Sequence, residues 1–92
     1  MGNAIITLRV MPESPEVDLK LLEQKAVAEI EKFAGKGEMK IVVEPVAFGL
    51  KSINITFVMD ENIGSTDPLE EKIAAIKNVN SVDVTDVRRA IG

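Results

Sequence analysis

Hydrophobic positions along the chain fall into successive blocks whose period switches between two and about 3.6 residues. From Ala4 to Val10 the chain alternates, with Ala4, Ile6, Leu8 and Val10 on one side and Ile5, Thr7 and Arg9 on the other, which predicts a strand. The stretch MPESPEVD, with two prolines among acidic residues, predicts a loop. Leu19, Leu22, Ala26, Ile30 and Phe33 then recur at spacings of three and four, the stripe of an amphipathic helix, with Asp18 as its cap and Gly35 and Gly37 ending it. Met39 to Val46 is rich in Ile and Val. Leu50 to Met59 sets Ile53, Ile55, Phe57 and Met59 against Ser52, Asn54 and Thr56, so two strands flank the turn PVAFGLK. In DENIGSTDPLEEKIAAI, Asp67 precedes Pro68 and Glu70 follows three residues later, a cap, a preset first turn and a capping-box carboxylate, with Leu69, Ile73 and Ile76 as the apolar stripe. Last, Val82 and Val84 alternate with Ser81, Asp83 and Thr85 before a tail, RRAIG.

The order is therefore βαββαβ. Two βαβ-like halves, each with one amphipathic helix, fit a ferredoxin-like α+β sandwich, a four-stranded antiparallel sheet with two helices on one face. The other face, carrying Ser52, Asn54, Thr56, Asp83 and Thr85, is expected to be polar and partly wet. This architecture serves many functions, so the sites have to decide among them.

Composition narrows the choice. Ninety-two residues make one domain, expected over 1–92, and 46% hydrophobic with 28% charged residues suits a globular chain. A net charge of −4 argues against a nucleic-acid backbone or an anionic membrane as partner. With neither cysteine nor histidine, thiolate nucleophiles, imidazole bases, disulfides and the common zinc sites are excluded. No apolar run reaches a membrane span of roughly 20 residues, and the N-terminus has no signal-peptide pattern. Ile6 stands where a myristoylation signal after Met1-Gly2 needs Ser or Thr. A cytoplasmic protein is expected.

Several candidate sites lose their case on inspection. AGKGE lacks the spacing and the hydroxyl residue of a phosphate loop and reads as a helix stop. Asp60, Asn62 and Glu71 match three positions of a calcium loop, but Gly64 and Ser65 occupy places that need an oxygen side chain and a glycine. Asp83 and Asp86 read as the solvated face of an edge strand rather than an acid/base pair. Of the three aromatics, Phe57 has core parity and Phe33 lies on the helix stripe, so no pair is left to stack RNA bases. Packing leaves Phe48 in its turn and Arg88-Arg89 near the end. Phe48 either folds back over the sheet edge or waits for a partner.

MPESPEVDL, EPVAFGLKSINI and NVNSVDVTDVRRAI, in this order across essentially the whole chain, resemble the archaeal elongation factor 1-beta family. The resemblance implies a ferredoxin-like guanine-nucleotide exchange domain acting on elongation factor 1-alpha, the GTPase that delivers aminoacyl-tRNA. It implies no bond chemistry, no catalytic residue, no cofactor and no metal, and a monomer when free, with no direct contact to nucleic acid or membrane. In eukaryotic relatives the domain closes a longer chain, whereas here the resemblance begins near residue 3. The family's GTPase-contacting aromatic between strands two and three falls on Phe48, flanked by Gly49. Its basic residue that intrudes at the partner's magnesium and phosphate region, a lysine in eukaryotes, falls on Arg89 by register from SVDV, with Arg88 an equal candidate. If the last strand continues, alternation points the two arginines in opposite directions. A different class, a ligand-sensing or assembly module, would bind a small molecule or dimerise stably by itself.

Overall fold

The structure, a computed structural model, describes residues 2–90. Met1, Ile91 and Gly92, which the domain limits and the tail reading include, lie outside the described residues. Four strands, β1 (Asn3–Pro12), β2 (Met39–Pro45), β3 (Lys51–Asp60) and β4 (Val79–Ala90), and two helices, α1 (Leu19–Ala34) and α2 (Asp67–Ala74), follow the expected order. The sheet order is β2-β3-β1-β4 and every neighbouring pair is antiparallel. This is the ferredoxin-like α+β sandwich.

Strand alternation decides which face meets the helices. Ile6, Leu8 and Val10 from β1 and Ile53, Ile55, Phe57 and Met59 from β3 form one core with Leu22, Ala26 and Ile30 of α1 and Leu69 and Ile73 of α2. The register Ile6↔Phe57, Leu8↔Ile55, Val10↔Ile53 holds the apolar residues of the two central strands on the same side. On the open side the Thr7 and Thr56 hydroxyls bond across the strands at 3.0 Å. Ser52 departs from the expected wet face, being only 2% exposed, and its hydroxyl donates to Glu44 O at 3.5 Å.

The start of α1 is set by a side chain and that of α2 by a backbone carbonyl. Asp18 Oδ1 accepts from Lys20 N–H (3.1 Å) and Leu21 N–H (3.2 Å), and Gly35, at φ 87°, ends α1 as expected. Asp18→Ala should destabilise the fold by about 1 kcal/mol, read as a lower urea midpoint at unchanged slope. The second cap is corrected by one residue. Thr66, not Asp67, caps α2, because the Thr66 carbonyl takes the first helix bond from Glu70 N–H at 2.9 Å. Glu70 closes onto the Thr66 hydroxyl (2.8 Å) instead of a cap N–H.

The larger correction concerns the last strand. Arg88 and Arg89, read as part of a tail, belong to β4 and face Ile5 and Ala4 of β1. The register shifts between Thr7↔Asp86 and Leu8↔Val84, so Thr85 is an extra residue in a β-bulge. A bulge resets alternation. Val84 shares the helix face with Leu8, yet so do Val87 with Ile6 and Arg89 with Ala4, while Asp86 and Arg88 lie on the open face with Thr7 and Ile5.

Candidate functional site

The β2–β3 connection is closed by Val46 N–H to Leu50 O (2.8 Å) and Leu50 N–H to Ala47 O (3.2 Å). Between them Phe48 and Gly49 both turn left-handed, at φ 63° and 76°. Gly49 accepts this without penalty because it lacks a Cβ. Phe48 does not, and left-handed backbone at an L-residue costs roughly 1–2 kcal/mol. The cost is not offset by burial, since Phe48 is 93% exposed. The inward-packing reading of Phe48 is thereby ruled out. A strained backbone that presents a bare phenyl ring to solvent is a feature of interaction surfaces.

The arginines occupy the far end of the sheet. Arg89 Nε donates to Glu61 Oε1 at 2.8 Å, and Glu61 is itself held by its N–H to Gly2 O at 3.1 Å. Arg88 Nε donates to Asp86 Oδ2 at 2.9 Å on the opposite face. The two guanidinium groups therefore do point in opposite directions. Arg89 borders a groove of about 500 Å³ between the sheet end and the start of α2, with Ala4, Met59, Glu61, Val87 and Arg88 also lining it. Val87 is 61% exposed there on the edge strand, whereas its β1 neighbour Ile6 is 3% exposed.

The four expected site residues thus form two patches. Phe48 and Gly49 lie beyond the Lys51 end of β3, whereas Arg89 aligns through Ala4 with Met59 near its other end. Eight residues of strand separate these levels, about 26 Å at a rise of ~3.3 Å per residue. Glu61 is the neighbour of Arg89 that sequence reasoning missed. Its only trace there is its membership in Asp60-Glu61-Asn62, read as part of a failed calcium template. In the structure Asp60 instead accepts from Asn62 N–H at 2.8 Å and Glu61 pairs with Arg89.

The profile of the EF-1 guanine nucleotide exchange domain family matches residues 5–90, a span that holds both patches. The chain belongs to this family. Relatives named elongation factor 1-beta extend over the same length. That of Methanosphaera stadtmanae is 43% identical over 91 residues, covering 97% of this chain and 98% of the relative. Those of Methanobrevibacter smithii (43%) and Methanothermobacter thermautotrophicus (42%) each align over 89 residues, with 97% and 98% covered. As a member of the exchange-domain family, the chain has a guanine-nucleotide exchange role in translation elongation. Among the described residues no helix is long and apolar enough to cross a membrane.

Proposed function

We propose that the chain, acting over 1–92 as one exchange domain, speeds the replacement of GDP by GTP on the GTPase elongation factor 1-alpha. The observation that carries this reading is Phe48, an aromatic held in left-handed backbone and 93% exposed. A folded domain maintains such a residue at a cost to its own stability, which fits an anchor for a partner's apolar pocket. The second contact is Arg89. Its guanidinium, tethered through Nε to Glu61, is aimed from the rim of the groove. Because the two patches lie about 26 Å apart along the strands, the GTPase is gripped at two separate places.

The mechanism is negative coupling between two ligands of one protein. The exchange domain binds the nucleotide-free GTPase more tightly than the GDP–Mg²⁺ form, so by reciprocity GDP and its ion bind the domain-bound GTPase more weakly. Arg89 supplies the local conflict, a fixed positive charge entering where a divalent cation and phosphate oxygens already neutralise one another. A guanidinium is planar and suited to bidentate contact with phosphate oxygens, so competition for those oxygens fits it better than direct mimicry of the metal. No bond is made or broken by the domain. The cellular excess of GTP sets the direction of exchange. One chain suffices for one GTPase, and the reading assigns the domain to the cytoplasm, where elongation takes place.

The test is release of a fluorescent GDP analogue from purified elongation factor 1-alpha under excess unlabelled nucleotide. Acceleration that rises and saturates with the concentration of this protein is expected. An unchanged release rate with both proteins folded overturns the reading.

A further inference from the structure

At the edge of the sheet opposite Arg88 and Arg89, β2 has a neighbour on one side only. Its backbone phase is fixed by the hairpin. Val46 N–H bonds Leu50 O, and the register runs without a bulge from Pro45↔Lys51 to Met39↔Phe57. Bonded and non-bonded pairs alternate in an antiparallel ladder. Lys40, Val42 and Glu44 therefore turn their backbone groups toward β3, and Met39, Ile41, Val43 and Pro45 turn theirs to the free edge. The Asn54 and Ser52 side chains, which donate to the carbonyls of Val42 (3.3 Å) and Glu44 (3.5 Å), agree with this phase.

We propose that β2 pairs antiparallel with β2 of a second copy of this chain, about a two-fold axis through Val42, to give a weak, concentration-dependent dimer with one continuous sheet. In this register the outward N–H and C=O groups of Ile41 and Val43 meet those of Val43 and Ile41 of the second copy. Met39 N–H meets Pro45 O, so the N–H that proline lacks falls at the outermost pair. The side chains match as well. Lys40 of each copy stands directly across from Glu44 of the other, and among the described residues neither has an ion-pair partner within its own chain. Glu44 is already oriented, since Asn54 Nδ2 donates to its Oε1 at 3.2 Å. Val42, 39% exposed, meets its own copy on the open face, and Val43, 44% exposed, meets Ile41 on the helix face.

The same charges reject the neighbouring registers. A slip of two residues one way sets Glu44 against Glu38, and the other way it sets Lys40 against Val46 and Glu44 against Val42. Lysine and proline usually blunt a free edge. Here they leave one isologous pairing open and close the rest. A single edge contact is small, which makes the dimer weak. The inference does not rest on the exchange reading, because it uses neither Phe48 nor the arginines.

Sedimentation equilibrium of the full chain from about 10 µM to about 1 mM tests it, a range in which weak edge contacts become populated. A monomer–dimer equilibrium is expected. Lys40→Glu and Glu44→Lys each set like charges opposite one another twice per dimer, so each should weaken association about tenfold or more. The double variant restores the opposite-charge pairs and should return to within about threefold of the parent. Both positions are exposed, and circular dichroism checks that the variants fold. A monomer across the whole range, single variants that associate like the parent, or a double variant that stays as weak as the singles would each overturn the proposal.

Discussion

Phe48→Asn should separate stability from exchange, lowering the acceleration of GDP release about thirtyfold while the melting midpoint holds or rises. The two halves have different physical origins. Truncating a buried aromatic anchor typically costs about 2 kcal/mol or more of interface energy, which is close to thirtyfold in affinity. In the free domain the ring is 93% exposed, so its removal uncovers no core. Its backbone sits at φ 63° and ψ 29°, a region that asparagine visits far more readily than phenylalanine. Relief of roughly 0.5–1 kcal/mol would raise the midpoint of a domain this size by several degrees. Melting curves and GDP-release titrations on one preparation check both halves. A variant that melts much earlier would mean that the ring packs in the free domain. One that exchanges at the parental rate would remove Phe48 from the interface.

Arg89→Ala is expected to cut maximal acceleration by about thirty- to a hundredfold, the range of a hot-spot arginine, while Arg88→Ala stays within about threefold. Both residues are exposed and each makes one ion pair in the free domain, so local chemistry does not distinguish them. The distinction is the face. Both arginines border the groove, but Arg89 lies with Val87 on the helix face and pairs with Glu61, whereas Arg88 lies on the open face and pairs with Asp86. Exposed ion pairs of this kind contribute at most about 1 kcal/mol, so neither substitution should unfold the protein. Arg89→Lys keeps the charge and loses the planar fork. Partial activity would follow if charge near the phosphates is what matters, and near-complete loss if bidentate contact is. A larger effect at Arg88 than at Arg89 would turn the open face, not the helix face, toward the nucleotide.

The elements themselves were legible because each buries a single face. Alternation in β1 and β3 and the spacing of four between Leu22, Ala26 and Ile30 report burial directly, and burial is what built the core. Phe48 was legible as an anomaly, an apolar aromatic in a turn, and its resemblance to a family aromatic gave the anomaly a role. Its left-handed backbone was not, since that region is rare for bulky L-residues and leaves no mark in hydrophobic pattern. The Glu61–Arg89 pair joins residues 28 positions apart at an exposed end of the sheet, where no periodic constraint operates. The reach of β4 was hidden for a related reason. Beyond Val84 the edge strand leaves Val87 exposed, and the two-residue rhythm loses its contrast.

Thr85 shows what an unpaired residue can govern. Its hydroxyl donates to Thr7 O at 3.4 Å, and it contributes nothing to the core or to either patch. Yet counting by twos from Val84 with Thr85 as an ordinary paired residue would put Arg88 on the helix face and Arg89 on the open face. The bulge is a phase shifter, since it absorbs one residue of chain length and lets each later residue keep the side set by its partner on β1. Substitutions at Thr85, and even its deletion, should therefore leave the two arginines on their present faces, because removing the unpaired residue keeps Asp86, Val87, Arg88 and Arg89 opposite Thr7, Ile6, Ile5 and Ala4. For the same reason, a chain with one residue fewer between Val84 and Asp86 would carry the same side chains on the same faces with no bulge at all.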